Sequence, residues 1–236
     1  VKLFRFVTLY LAMAGFVVWM WLAFPVPSLI GFLTISIIHF GLGDARAVTG
    51  WFRYVQAAAH GGVVVAGISQ SHRLEGDNIF GYLVGGDTAM AWIAIDIVSV
   101  VIVLALAIYA WRALLEPKWR QGFFEASLLL LILIAVPPLV GFALYFCCIH
   151  SARHIWSVWT AVKVAFPRSM LFAGASLFAI ASWSVGAVTF WWCANFIAVE
   201  SALLRVVFIG LAALTVPHMI LVDGFFRANA GKFKRG

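Results

Sequence analysis

Residues 88–111 read TAMAWIAIDIVSVVIVLALAIYAW, and Asp96 is the only charged side chain among them. A helix needs about 20 consecutive apolar residues to cross the hydrocarbon core of a bilayer. A helix on the surface of a soluble domain would instead carry a polar stripe with a period of about 3.6 residues. This stretch therefore predicts a membrane-spanning helix, and similar stretches recur on both sides of it.

The composition of the whole chain agrees with this interpretation. Of the 236 residues, 64% are hydrophobic and only 11% are charged, whereas soluble domains are about half apolar and about a quarter charged. So little polar surface cannot cover a water-soluble body, and the apolar content also excludes intrinsic disorder. The length leaves no room for a second domain. We therefore predict one all-α transmembrane domain over residues 1–236.

Eight apolar segments follow one another along the chain, and they predict a polytopic bundle of about eight helices. They cover residues 3–24, 28–43, 54–71, 88–111, 122–136, 139–161, 170–192 and 196–222. Proline lacks an amide donor and disfavours helix in the residue before it. Pro25 and Pro27 therefore mark the first turn, and Pro137 with Pro138 marks the turn between the fifth and sixth segments.

The formal net charge of +7 is explained by the distribution of Lys and Arg rather than by a nucleic-acid partner. With the amino terminus placed in the cytoplasm, Arg73 is the only one of the 16 Lys and Arg residues in an outer loop. Arg153 and Arg205 lie within segments. Because positive loops stay on the cytoplasmic side, we predict a multi-pass protein of the cell inner membrane.

Most of the histidines are predicted to lie at a similar depth near the cytoplasmic side; these are His39, His60, His150, His154 and His218. At about 1.5 Å of rise per residue, they fall within a layer about 10 Å thick. Ionisable side chains inside a span are costly and usually functional. His72 lies at the other face beside Arg73 and Glu75, and we expect it to be a solvated loop residue.

The spacing of His150 and His154 indicates a metal site. Residues four apart share one face of a helix, so both imidazoles can point at one centre. Facing helices of a bundle supply the remaining ligands in such sites. Ligation by nitrogen alone suits iron, zinc, copper or nickel better than magnesium or calcium.

Other polar residues are placed to support this site from around the ligands. Asp44 follows His39 by five residues, and Asp223 follows His218 by five. Arg153 is expected to contact polar groups near the site. For His218, which follows Pro217 at an expected kink, ligation and a structural or supporting role both remain open.

Three short motifs resemble those of the Brp/Blh family of membrane β-carotene 15,15'-dioxygenases. They are His-Phe-Gly-Leu-Gly-Asp (39–44), His-Ser-Ala-Arg-His (150–154) and Pro-His-Met (217–219). The similarity extends from about residue 30 to residue 223. It implies an Fe(2+) enzyme that cleaves the central double bond of β-carotene with O₂ and yields two molecules of retinal. By match to the motifs, His39, His150 and His154 carry over as iron ligands.

One family motif is missing from the sequence. The family has a Pro-His-Gly motif near its amino terminus, whose histidine is thought to bind iron, and no such motif occurs here. One explanation is a further N-terminal helix before Val1, which the lack of an initiator Met favours. The other is that another histidine substitutes, and His60, at a suitable depth, is our predicted fourth ligand.

The resemblance also sets the expected partners, which are β-carotene, O₂, the lipid bilayer and, functionally, a microbial rhodopsin. An alternative is a haem- or metal-binding membrane protein for electron transfer or transport, with His60 and His150 clamping a haem. Another membrane non-haem iron oxygenase, of the histidine-box type, would need more histidines than this chain has. A rhodopsin would need a lysine in its last helix, and residues 196–222 contain none.

Overall fold

The structure is a computed structural model that describes residues 2–45, 50–162 and 167–223. Within these ranges all regular secondary structure is helical, and no strand is present. The prediction of an all-α fold is therefore confirmed.

The α-helices in chain order are α1 (Lys2–Ala23), α2 (Pro25–Asp44), α3 (Phe52–Gly62), α4 (Ile68–Ser71), α5 (Arg73–Val84), α6 (Ala89–Leu115), α7 (Arg120–Ala135), α8 (Pro138–Ala143), α9 (Ala152–Val162), α10 (Arg168–Cys193) and α11 (Val199–Pro217). Three segments of the described ranges are π-helical, with hydrogen bonds from residue i to i+5; they are Val63–Gly67, Leu144–Ser151 and His218–Asp223. The first joins α3 to α4, the second joins α8 to α9, and the third extends α11.

The eight predicted apolar segments are helical over most of their length, and Pro25 and Pro138 begin helices at the predicted turns. Helix α5 (Arg73–Val84) is the difference, because it lies between the predicted segments 54–71 and 88–111 and is not one of them. A side chain of helix α6 stabilises helix α5. The indole Nε1 of Trp92 donates a hydrogen bond of 2.7 Å to Asp77 in α5.

Five helices in the described part of the chain are long and apolar enough to cross a membrane; they cover Phe4–Ala23, Pro25–Asp44, Ala89–Leu115, Arg168–Cys193 and Val199–Leu221. They identify a membrane protein. The other three predicted segments are helical but shorter or more polar. Helix α7 has only 16 residues, and the segments through His60 and His150 carry polar side chains. A total of eight spans stays a prediction.

The contacts divide the chain into two compact units. The first unit contains the described residues within 1–35, 79–91 and 189–236. There α1 lies along α11, where the Tyr10 hydroxyl donates a 2.6 Å hydrogen bond to the carbonyl of Leu214. The second unit contains the described residues within 36–78 and 92–188. The single-domain interpretation stays a prediction.

Helices α2 and α3 cross very closely within the second unit. A Cβ atom on Gly41 would overlap the carbonyl oxygen of Ala57, and one on Gly61 would overlap the carbonyl oxygen of Ile37. Only glycine lets the two backbones approach in this way, as small residues do where membrane helices pack. The crossing lies next to His39 on one helix and next to His60 on the other.

A polar network connects the start of α5 to α6 in the same unit. Arg73 forms a bidentate ion pair with Asp96, with distances of 2.8 and 3.0 Å. Gln70 donates a further hydrogen bond of 2.7 Å to Asp96, and the Arg73 guanidinium lies 4.4 Å from the centre of a Trp92 ring. The one charged residue in the apolar run of α6 is thus neutralised by Arg73.

The turn between α6 and α7 is built around Glu116. Its carboxylate accepts contacts from Lys118 (2.8 Å) and Arg112 (2.6 Å), and the Trp119 indole donates a 3.1 Å hydrogen bond to it. Lys118 and Arg112 lower the pKa of the Glu116 carboxyl to about 2. The Glu116 carboxyl group therefore stays ionised over the whole physiological pH range.

Candidate metal centre

The structure brings His39 and His150 together. His39 lies on α2 and His150 in the π-helical segment Leu144–Ser151, and their Nε2 atoms are 3.2 Å apart. This distance admits two arrangements. Either one ring donates a hydrogen bond to the other, or two unprotonated nitrogens share a cation. Two nitrogens bound to one first-row ion at about 2.1 Å each, in adjacent positions, are about 3 Å apart. The observed separation therefore fits a shared metal ion.

Aromatic rings hold the His150 imidazole in place. The Phe40 ring, which is 3% exposed, lies 4.8 Å from the His150 ring at 66°. The Phe146 ring is stacked on His150 at 6.1 Å and 20°. Phe142 is in turn stacked on Phe146 at 5.6 Å and 12°. These contacts surround the His150 imidazole with apolar rings.

His154 follows His150 by one helical turn, at the start of α9. Its side chain is exposed. Because His150 lies in the π-helical segment and His154 in α9, the expectation that the two imidazoles share one helix face stays a prediction.

Asp44 is the centre of a hydrogen-bonded group beside the histidine pair. Its side chain, 8% exposed, accepts a 2.7 Å hydrogen bond from Arg153 and a 2.8 Å hydrogen bond from the Tyr145 hydroxyl. The two acceptor atoms are different, so each carboxylate oxygen has one donor. The structure thus pairs Asp44 with Arg153, two residues that the sequence placed around the site.

Tyr145 is the residue that sequence reasoning missed. It is 1% exposed and lies five residues before His150. In an α-helix, residues five apart point in different directions. In the π-helical segment, where bonds run from i to i+5, they stack on one face. The segment therefore aligns the Tyr145 and His150 rings, which are 6.1 Å apart. The apolar sequence around them gives no signal for this register.

His60 occupies a different environment. It is 5% exposed, and its ring lies 5.8 Å from the Tyr109 ring in α6. Tyr109 also accepts a 3.0 Å hydrogen bond from Gln56. In residues 2–45, 50–162 and 167–223, no three or more His, Cys, Asp or Glu side chains are grouped to hold a metal ion. Ligation by His60 or His154 beside the central pair stays a prediction.

The remaining predicted residues either lie apart from the histidine pair in the chain's contacts or have side chains outside the described residues. His218 begins the third π-helical segment, in the first unit. The side chain of Asp223 lies outside the described residues. His72 corrects an expectation in part, because it lies in the turn between α4 and α5 but is not solvated. Its Nε2 lies 3.1 Å from the carbonyl oxygen of Leu133, and its side chain is only 18% exposed. The neighbouring helix α7 covers it.

The comparisons with known proteins agree on one family. A family model described as beta-carotene 15,15'-dioxygenase matches residues 1–226. The chain is 36% identical over 226 residues to a beta-carotene 15,15'-dioxygenase from uncultured marine bacterium 66A03, covering 96% of this chain and 81% of that protein. It is 25% identical over 254 residues to a probable beta-carotene 15,15'-dioxygenase Blh from Halobacterium salinarum, covering 94% and 73%. No solved structure matches the chain.

Proposed function

The chain belongs to the beta-carotene 15,15'-dioxygenase family, and from that premise we propose that it cleaves the central double bond of β-carotene with O₂. Both bonds between the two central carbons break, and each half gains one oxygen atom as an aldehyde. One β-carotene and one O₂ thus give two molecules of all-trans-retinal. No other reactant is required. The retinal would supply a microbial rhodopsin.

One observation carries the proposal, namely the 3.2 Å separation of the His39 and His150 nitrogens. We propose that these two side chains hold Fe(2+), with His154 and His60 as further ligands. Histidine-only ligation leaves positions open for reactants and leaves the ion's charge uncompensated. When bound, the iron supplies the one-electron chemistry that O₂ needs to react with a closed-shell hydrocarbon.

The chain's own residues bind and orient the substrate. β-Carotene is a hydrocarbon that dissolves in the bilayer, so an apolar site within membrane helices suits it. Phe142 and Phe146 are only half-buried, and their stacked rings form a row that ends at His150; we call this row the aromatic wall. A conjugated chain lying on this wall would place its middle beside the histidine pair. Such positioning is a large part of the catalysis that a protein can contribute.

Asp44 and Arg153 would keep the site rigid. Asp44 accepts two hydrogen bonds, and rigid support of ligands raises metal affinity. We further propose that the site faces the cytoplasmic side of the cell inner membrane, because the basic residues predict cytoplasmic loops there.

Expression in a bacterium that makes β-carotene tests the function. Cells with the active protein should lose their orange colour, and extracts should contain retinal. His150→Ala should keep the colour, because it removes one half of the central pair. The matched control is His72→Gln, a substitution at a histidine held against Leu133, and it should still bleach. Unchanged pigment with folded, iron-loaded wild-type protein would refute the proposal.

A further inference from the structure

Tyr145 connects the two elements that carry the central histidines. Its hydroxyl donates a 2.8 Å hydrogen bond to one oxygen of Asp44, the last residue of α2. His39 lies on the same helix, five residues earlier. Tyr145 itself belongs to the π-helical segment that carries His150. One hydrogen bond therefore joins the helix of one imidazole to the segment of the other.

The bond is placed to resist movement. Tyr145 is 1% exposed and its ring contacts the Phe40 ring at 5.2 Å, so neither the ring nor the hydroxyl has an alternative position in solvent. A hydrogen bond to a carboxylate is among the stronger ones, and it is stronger still away from water. Breaking it would leave a buried charge with only one of its two donors.

Arg153, which follows His150 in the chain, is the second donor to Asp44. It donates to the second oxygen of Asp44 from the first turn of α9. The Asp44 carboxylate is thus held by one donor that precedes His150 and one that follows it. Arg153 is 61% exposed, so solvent and lipid headgroups compete for it. Of the two donors, Tyr145 is the one that cannot exchange its partner.

We propose that Tyr145 is a positioning residue, whose hydrogen bond to Asp44 fixes the separation of the His39 and His150 nitrogens and thereby sets the affinity of the pair for a metal ion. The inference rests on the metal site of the proposed function. It adds that a hydroxyl group which does not contact the metal determines how well the site binds. Loss of such a supporting contact weakens metal binding by about 10-fold or more in known sites.

The test uses Tyr145→Phe in the full chain, purified in detergent, with Co(II) as the probe because its visible spectrum reports ligand geometry. The variant removes one hydroxyl and keeps the ring packing. We expect the Co(II) dissociation constant to rise about 10-fold, with a change in the absorption bands. The matched control is Tyr10→Phe, which removes a hydroxyl bonded to Leu214 in the first unit. It should lower stability and leave the Co(II) spectrum unchanged.

Asp44→Asn removes the acceptor of the same hydrogen bond, and it replaces Tyr145→Phe in the test if that variant folds poorly. Where both variants fold, a double-mutant cycle tests the bond itself. If the bond itself acts, the double variant binds Co(II) no more weakly than the poorer single variant. Wild-type affinity and spectrum in folded Tyr145→Phe would overturn the inference and leave the metal site intact. Absence of Co(II) binding by the folded wild-type chain would instead overturn the metal site of the proposed function.

Discussion

The Nε2 atoms of His39 and His150 lie 3.2 Å apart, although 111 positions separate the two residues in the chain. Two lone pairs that face each other at this distance repel unless a proton or a cation lies between them. Either a proton donated by one ring or a shared cation can therefore hold the two nitrogens at this distance. Because the two residues lie on different elements, a cation bound by both would link two parts of the tertiary structure.

Metal binding is accordingly expected to stabilise the fold. At about 100 times its dissociation constant, a ligand specific for the folded state adds about 2.7 kcal/mol. Anaerobic Fe(2+) should raise the unfolding temperature of the purified protein in detergent, and a chelator should reverse the effect. Mg²⁺, which prefers oxygen ligands, is the control and should not raise it. An equal shift with both ions would argue against an imidazole site.

His154→Ala should abolish iron binding and retinal formation while the protein stays folded. The side chain is exposed at the start of α9, so its removal leaves no cavity and costs little stability. The measurements are iron content, retinal yield and the unfolding temperature. Iron content and bleaching at the level of the wild type would refute the assignment of His154 as a ligand.

Phe146→Ala should impair use of the substrate more than binding of the metal. The ring is stacked between Phe142 and His150, and its loss shortens the aromatic wall on which we place β-carotene. We expect kcat/KM to fall by about 10-fold, which corresponds to about 1.4 kcal/mol. Phe178→Ala is the matched control, because Phe178 in α10 is 71% exposed. A fall of equal size in both variants would remove the special role of Phe146.

The sequence was sufficient for the fold class, and it named two histidines that the structure brings together. Long apolar runs predict membrane helices because a bilayer imposes both their length and their composition. Of residues 88–111, for example, all but the first lie inside α6. The motifs also placed His39 and His150 in one site, and the structure puts their nitrogens 3.2 Å apart. Helix α5 was not predicted from the sequence, because the hydrogen bond that supports it, from Trp92 to Asp77, comes from another helix.

The π-helical register is the part that no pattern in the sequence indicates. Helical reasoning from sequence assumes 3.6 residues per turn, and on that assumption Tyr145 and His150 point apart. The i to i+5 register of Leu144–Ser151 turns them to one face. Such segments depend on tertiary contacts for their stability and often occur at functional sites. His60 has a related difficulty, because sequence gives its depth in the membrane but not the side of α3 on which it lies.

The crossing of α2 and α3 predicts a strong effect of a single methyl group. Gly41→Ala places a Cβ atom onto the carbonyl oxygen of Ala57, and a backbone atom cannot move aside as a flexible side chain can. Overpacking of this kind costs about 1–3 kcal/mol, which outweighs the gain of about 1 kcal/mol from replacing glycine in a helix. The unfolding temperature in detergent should therefore fall, and Co(II) affinity should fall with it, because Gly41 lies two residues after His39. Gly31→Ala, on the same helix with open space around the added atom, should be neutral or stabilising. Equal unfolding temperatures for the two variants would show that the helices do not cross at Gly41.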